Sequence, residues 1–131
     1  MKAADLMIGD LVRAGGKPIH VTIATLLIGE QTSFRPIPLT AEILEKNGYK
    51  HDILAEKALQ AEGATSDSCV MISHDHRVTV NNASRNINSF NKWFVHIDTE
   101  DMRTMATIEI SYVHELQRML KLCGIEKEIV L

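Results

Sequence analysis

Three observations predict an α+β fold built on an antiparallel sheet. Ile19-His20-Val21-Thr22-Ile23 alternates apolar and polar residues, and Trp93, Val95 and Ile97 recur at every second position, the period of strands with one buried face. Tyr112, Val113, Leu116, Met119, Leu120 and Cys123 recur instead at spacings of three and four, the period of an amphipathic helix. Glycine, proline and Asn/Ser runs punctuate the chain, and neither a linker nor an internal repeat interrupts it. One compact domain over residues 1–131 is therefore expected.

The elements follow in order. Leu11-Val12 and Ile19-Val21-Ile23 flank Gly15-Gly16, a turn signal because glycine accepts positive φ at little cost. The run "IGDLV", turn, "PIHVTI" suggests the opening hairpin of an SH3-like barrel. Pro36 and Pro38 keep the next stretch extended. Thr40 is placed to cap a short central helix over Ala41–Asn47, with Leu39 and Leu44 as a hydrophobic staple, Glu42 at the positive end of the dipole and Gly48 as the stop. "HDILAEKALQAEG" predicts a second helix, capped by Asp52 and ended by Gly63, with Ile53, Leu54, Ala58 and Leu59 on its apolar face. "ATSDS" reads as a loop, "CVMIS" and "RVTV" as strands, and the Asn-rich run 81–92 as a surface loop. "WFVHID" is a strand with Trp93, Val95 and Ile97 inward, "TEDMRT" a turn, and "ATIEI" a strand with Ile108 and Ile110 inward and Glu109 outward. Ser111 and Gly124 bracket the C-terminal amphipathic helix, whose apolar stripe should pack on the sheet; Glu115, Gln117, Arg118 and Lys121 cover its other face. The closing "EIVL" suggests a short last strand.

Composition narrows the function classes. The chain is 45 % hydrophobic and 24 % charged, as soluble globular domains are. Cys69 and Cys123 sit in apolar company without a CxxC spacing, which predicts reduced thiols and a cytoplasmic protein. The run Ile19–Ile28 is too short to span a bilayer, and "MKAADLMIGD" lacks the apolar core of a signal peptide. No membrane association is expected. A net charge of −3 argues against non-specific nucleic-acid binding, which draws on excess cations, though not against a local basic patch.

"IGDLV", "PIPLTAEILEKNGY", "WFVHID" and "YVHELQRMLKLCGIEKEIVL" resemble a family of small uncharacterised bacterial proteins associated with prophages and mobile elements of gut anaerobes. Its pattern is an IG(D/N)xV opening, a PIPLT helix start and a C-terminal YVH(E/Q)LQ helix. The resemblance covers most of the chain, is strongest from Trp93 onward and matches poorly between Lys50 and Asn91. It implies the context of a phage or mobile-element accessory protein. It assigns no catalytic residue, and His74-Asp75-His76 is not part of the pattern.

The candidate chemistry begins at "ISHDHRV", Ile72 to Val78. On a straight strand His74 and His76 would share a face and could hold a transition metal, with His96 or Asp98 as further ligands for a metal-dependent hydrolase. Between Val70-Ile72 and Val78-Val80, however, the triplet reads more simply as the bend of a hairpin. His96 and His114 have the pKa range of a general base, yet a lone histidine beside apolar residues usually makes a structural hydrogen bond. Gly15-Gly16-Lys17 lacks phosphate-loop spacing. Arg77, Arg85, Lys92 and Arg103, interleaved with Phe90, Trp93 and Phe94, form a candidate nucleic-acid contact. With no nucleophile motif and no cofactor motif, the main expectation is a protein-interaction module without catalysis. Its contact candidates are the central helix and the C-terminal strand edge. A nucleic-acid-binding accessory protein is the alternative.

Overall fold

A computed structural model describes residues 9–14, 16–22, 34–61, 65–73, 76–84, 92–99, 101 and 103–131, and the chain is α+β. Strands β1 (Leu11–Ala14), β2 (Lys17–His20) and β3 (Phe34–Pro36) form an antiparallel sheet in the order β2-β1-β3. Helix α1 (Ala41–Lys46), β4 (Lys50–His51) and helix α2 (Ile53–Ala61) follow. The strands β5 (Thr65–Ser73), β6 (His76–Ser84), β7 (Trp93–Thr99) and β8 (Thr104–Ile110) then complete a second antiparallel sheet in the order β4-β5-β6-β7-β8. Helix α3 (Val113–Leu122) comes last. The opening hairpin forms as read, but its three strands make an open sheet among the described residues, not a closed SH3-like barrel.

Several elements start and stop for the expected reasons. Thr40 Oγ1 accepts the Ile43 N–H at 3.2 Å, and Gly48, at φ +89°, ends the turn after α1 in a conformation side chains disfavour. Asp52 Oδ1 accepts the Ala55 N–H at 3.2 Å and so opens α2. α3 begins one residue later than the Ser111 cap implied. Tyr112 takes the cap position, and the Glu115 carboxylate accepts the N–H groups of both Ser111 and Tyr112, at 3.0 and 3.1 Å.

The inner face of the large sheet carries Cys69, Met71, Val78, Val80, Trp93, Val95 and Ile97, all buried. Val113, Leu116, Met119 and Leu120 of α3 join the same core, with Leu39 and Leu44 from the α1 region. Burying each such side chain contributes about 1.5–3 kcal/mol before entropy costs. Trp93 is held in place by its indole N–H, which donates to Leu39 O at 3.0 Å. A second small cluster, Val12, Val21 and Phe34, sits in the three-stranded sheet. Arg118 on α3 ties that sheet to the main core, donating from Nε and Nη2 to the two Asp10 carboxylate oxygens at 3.1 and 2.5 Å.

Pairing sets further details of the large sheet and of the chain's last residues. "ATSDS" is not all loop, because β5 starts at Thr65, and β6 runs through Asn81 and Asn82 to Ser84. In the β5–β6 register Cys69 faces Val80 and Met71 faces Val78, which puts Val70 and Ile72 on the opposite, outer side. Ile108 stands opposite Val95 on the inner face, as expected, but on β8, the last strand of the sheet, it is 48 % exposed, although Ile110 is buried. "EIVL" is not a strand. Ile129 is buried, and the backbone of Val130 is hydrogen-bonded by the Asn47 side chain.

Candidate functional site

The residues singled out from sequence are distributed, not gathered. His74, Asp75 and Arg85 lie outside the described residues. Ser73 stands opposite His76 where β5 pairs with β6. Across the β6–β7 pair, Arg77 stands opposite Asp98 and Thr79 opposite His96, so these four positions share the outer face. His76, one residue out of phase, belongs to the other face with Val78 and Val80. His96 and Asp98 are brought together, with His96 Nε2 3.0 Å from Asp98 Oδ1; His76 does not join them. The His96 ring is further engaged by Thr107 Oγ1 at 2.8 Å and Thr104 Oγ1 at 3.2 Å, a polar ladder across two strands.

The candidate cations are also apart. Arg77 and Arg103 lie near the β7–β8 connection, whereas Lys92 precedes β7 at its other end, roughly 20 Å away at 3.3 Å per strand residue. Lys92 is paired with Glu109 at 3.4 Å, and Arg77 lies 4.0 Å from Asp52. His114 is buried on α3 and stacks on Tyr112 with ring centroids 5.9 Å apart. Its Nδ1 has no hydrogen-bond partner among the described residues, and burial pushes its pKa below the ordinary histidine range. Cys69 and Cys123 are free thiols; burial, with nearby Asp67 and Glu56, pushes Cys69 up to about 12, far from a reactive thiolate.

Two features converge instead at the β4 edge of the large sheet. On the outer face, a groove of about 600 Å³ is lined by Lys50, Ile53, Leu54, Val70, Ile72 and Arg77 among others. Ile53, Leu54 and Ile72 are 60 %, 82 % and 77 % exposed. Of the face read for α2, Ile53, Leu54 and Ala58 are exposed to solvent and not packed on the core. On the inner side of the same edge, His51 stands between two carboxylates. Its Nδ1 donates to Glu56 Oε1 at 2.5 Å, and its Nε2 contacts Glu45. Hydrogen bonds to Glu56 and then Glu45 raise the His51 pKa. His51, Glu56 and Asp67 present ligand-type atoms all within 4.8 Å of one another.

Sequence reasoning missed this second group because its residues come from four elements with no short spacing to read. The only available signal was local: His51 directly precedes the helix cap Asp52, in a stretch that also places Glu56 one turn on. No protein-family model matches the chain. Neither curated proteins nor solved structures yield a match.

Proposed function

We propose that this chain is a protein-interaction module without catalysis, an accessory protein of a phage or mobile element, and that the β4-edge groove is its contact surface. One observation carries the reading: Ile53, Leu54 and Ile72, three large apolar side chains, stand mostly in water around a single groove. Apolar side chains scattered singly are ordinary, but several side by side mark a contact surface. None of the helices among the described residues is long and apolar enough to cross a membrane, so a spanning helix does not account for the patch. Lys50 adds a cation to the groove wall, where Arg77 already lies 4.0 Å from Asp52, so the partner segment that fits is chiefly apolar with an acidic residue opposite Lys50. The dispersed and partly paired cations Arg77, Lys92 and Arg103 give the nucleic-acid alternative no comparable focus.

The test is affinity capture from host and phage lysates with the wild-type chain and with an Ile53→Ser, Leu54→Ser, Ile72→Thr variant. The expected result is a specific protein retained by the wild type and lost by the variant. Identical captured sets, or no specific protein with either, would contradict the reading.

A further inference from the structure

We propose that His51, Glu56 and Asp67 form a binding site for a divalent first-row metal ion, with Glu45 at its open side. This inference does not rest on the interaction reading, although His51 also lines the groove. The site is built by pairing and helix placement. β4 lies antiparallel to β5 with His51 opposite Cys69, so Asp67, two residues along, is the diagonal neighbour of His51 on the same face. Glu56 reaches the same point from α2 and is fixed there, its carboxylate accepting the Ser68 N–H at 3.0 Å. The Asp52 N–H donates to Ser68 O at 2.7 Å and clamps the start of α2 to β5 from the other side.

Chemistry and charge fit a cation. One imidazole is surrounded by three carboxylates, and among the described residues neither lysine nor arginine forms an ion pair with Glu45, Glu56 or Asp67. The Asp67 carboxylate has no hydrogen-bond or ion-pair partner among the described residues, although the residue is half-buried beside Glu56 and His51. A bound cation would offset the repulsion among the three carboxylates, which the single His51 ring only partly balances. Metal–ligand bonds of about 2.0–2.2 Å allow ligand atoms up to about 4.4 Å apart, so contraction by a few tenths of an ångström closes the site. A mixed imidazole and carboxylate set suits Zn²⁺ or Mn²⁺, whereas Mg²⁺ prefers oxygen alone with several retained waters. The side chains of His51 and Glu45 are partly exposed, which gives an ion a path from solvent.

The experiment is calorimetric titration of the chelator-treated full chain with ZnCl₂ and MnCl₂ at pH 8, with MgCl₂ for comparison. Asp67→Asn, Glu56→Gln and a His74→Ala, His76→Ala double variant are titrated alongside. One equivalent of Zn²⁺ or Mn²⁺ is expected to bind, at least tenfold more weakly to Asp67→Asn and Glu56→Gln and unchanged in the double histidine variant. Mn²⁺ broadening of wild-type amide NMR signals, centred on residues 51, 56 and 67, reads the site without any variant. The proposal is overturned if the wild type binds neither ion, if Asp67→Asn and Glu56→Gln bind as tightly as wild type, or if broadening centres on residues 74–76 or 96–98.

Discussion

Asn47 and Val130, 83 residues apart, are joined by a pair of hydrogen bonds: Asn47 Nδ2 donates to Val130 O at 2.8 Å, and Asn47 Oδ1 accepts the Val130 N–H at 2.7 Å. The same amide nitrogen donates to Ile43 O at 2.7 Å, so the buried side chain also closes the end of α1. Asn47 therefore holds the C-terminal segment, with Ile129, on the core. Asn47→Ala is expected to cost about 1–3 kcal/mol in urea unfolding, because it leaves these backbone groups unpaired. Amide protection should drop first over residues 125–131. A variant that unfolds like wild type would contradict this role.

Trp93 anchors the other end of α1. Trp93→Phe removes the N–H that satisfies Leu39 O in a buried setting and shrinks a packed side chain. A loss of about 1–3 kcal/mol from the unmet carbonyl alone is expected on chemical unfolding. An unchanged midpoint would show that the carbonyl finds another partner.

His114 is buried, and its folded pKa is lowered, chiefly by burial; nearby Asp10 and Glu115 raise it and Arg118 lowers it. The unfolded chain thus takes up the proton first as pH falls. Stability from this group is complete above the ordinary histidine pKa of about 6.5 and declines as pH drops from there toward the folded value. His114→Phe keeps an aromatic ring against Tyr112 and removes the unpaired Nδ1. The wild-type-minus-variant difference in unfolding free energy should move against the wild type over the pH window just below about 6.5. A constant difference across that window would contradict the assignment.

Ile53, Leu54 and Ile72 contribute little to folding because they are mostly in water. Ile53→Ser, Leu54→Ser and Ile72→Thr are each expected to shift stability by no more than about 0.5 kcal/mol. The triple variant should bind less of a fluorescent apolar dye while retaining its melting transition. A cooperative loss of structure would place these residues in the core instead.

The legibility of the chain tracks burial. Where a segment has one face in the core, as in Trp93-Val95-Ile97 or Val113-Leu116-Leu120, its period shows the element and the inward side chains. Thr40 and Asp52 show their helices because capping is local chemistry. The polar ends of β5 and β6 are strands for a non-local reason: they pair with one another, and Ser68 Oγ donates to Asn81 Oδ1 at 2.5 Å. Without an apolar alternation those stretches look like loops. "EIVL" has strand-favouring residues but not the pairing, since a side chain occupies the backbone of Val130. Most of the candidate site was hidden likewise. His74-Asp75-His76 drew attention by adjacency, whereas His51, Glu56 and Asp67 meet only once β4 pairs with β5 and α2 folds across them.

The most direct measurement is amide hydrogen exchange on the chain with and without the partner that it captures. Protection is expected to rise over residues 50–54 and at 70, 72 and 77, the walls of the groove formed by Ile53, Leu54 and Ile72. Protection confined to β8 or α3, with no change along those groove walls, would contradict the assignment of the contact surface.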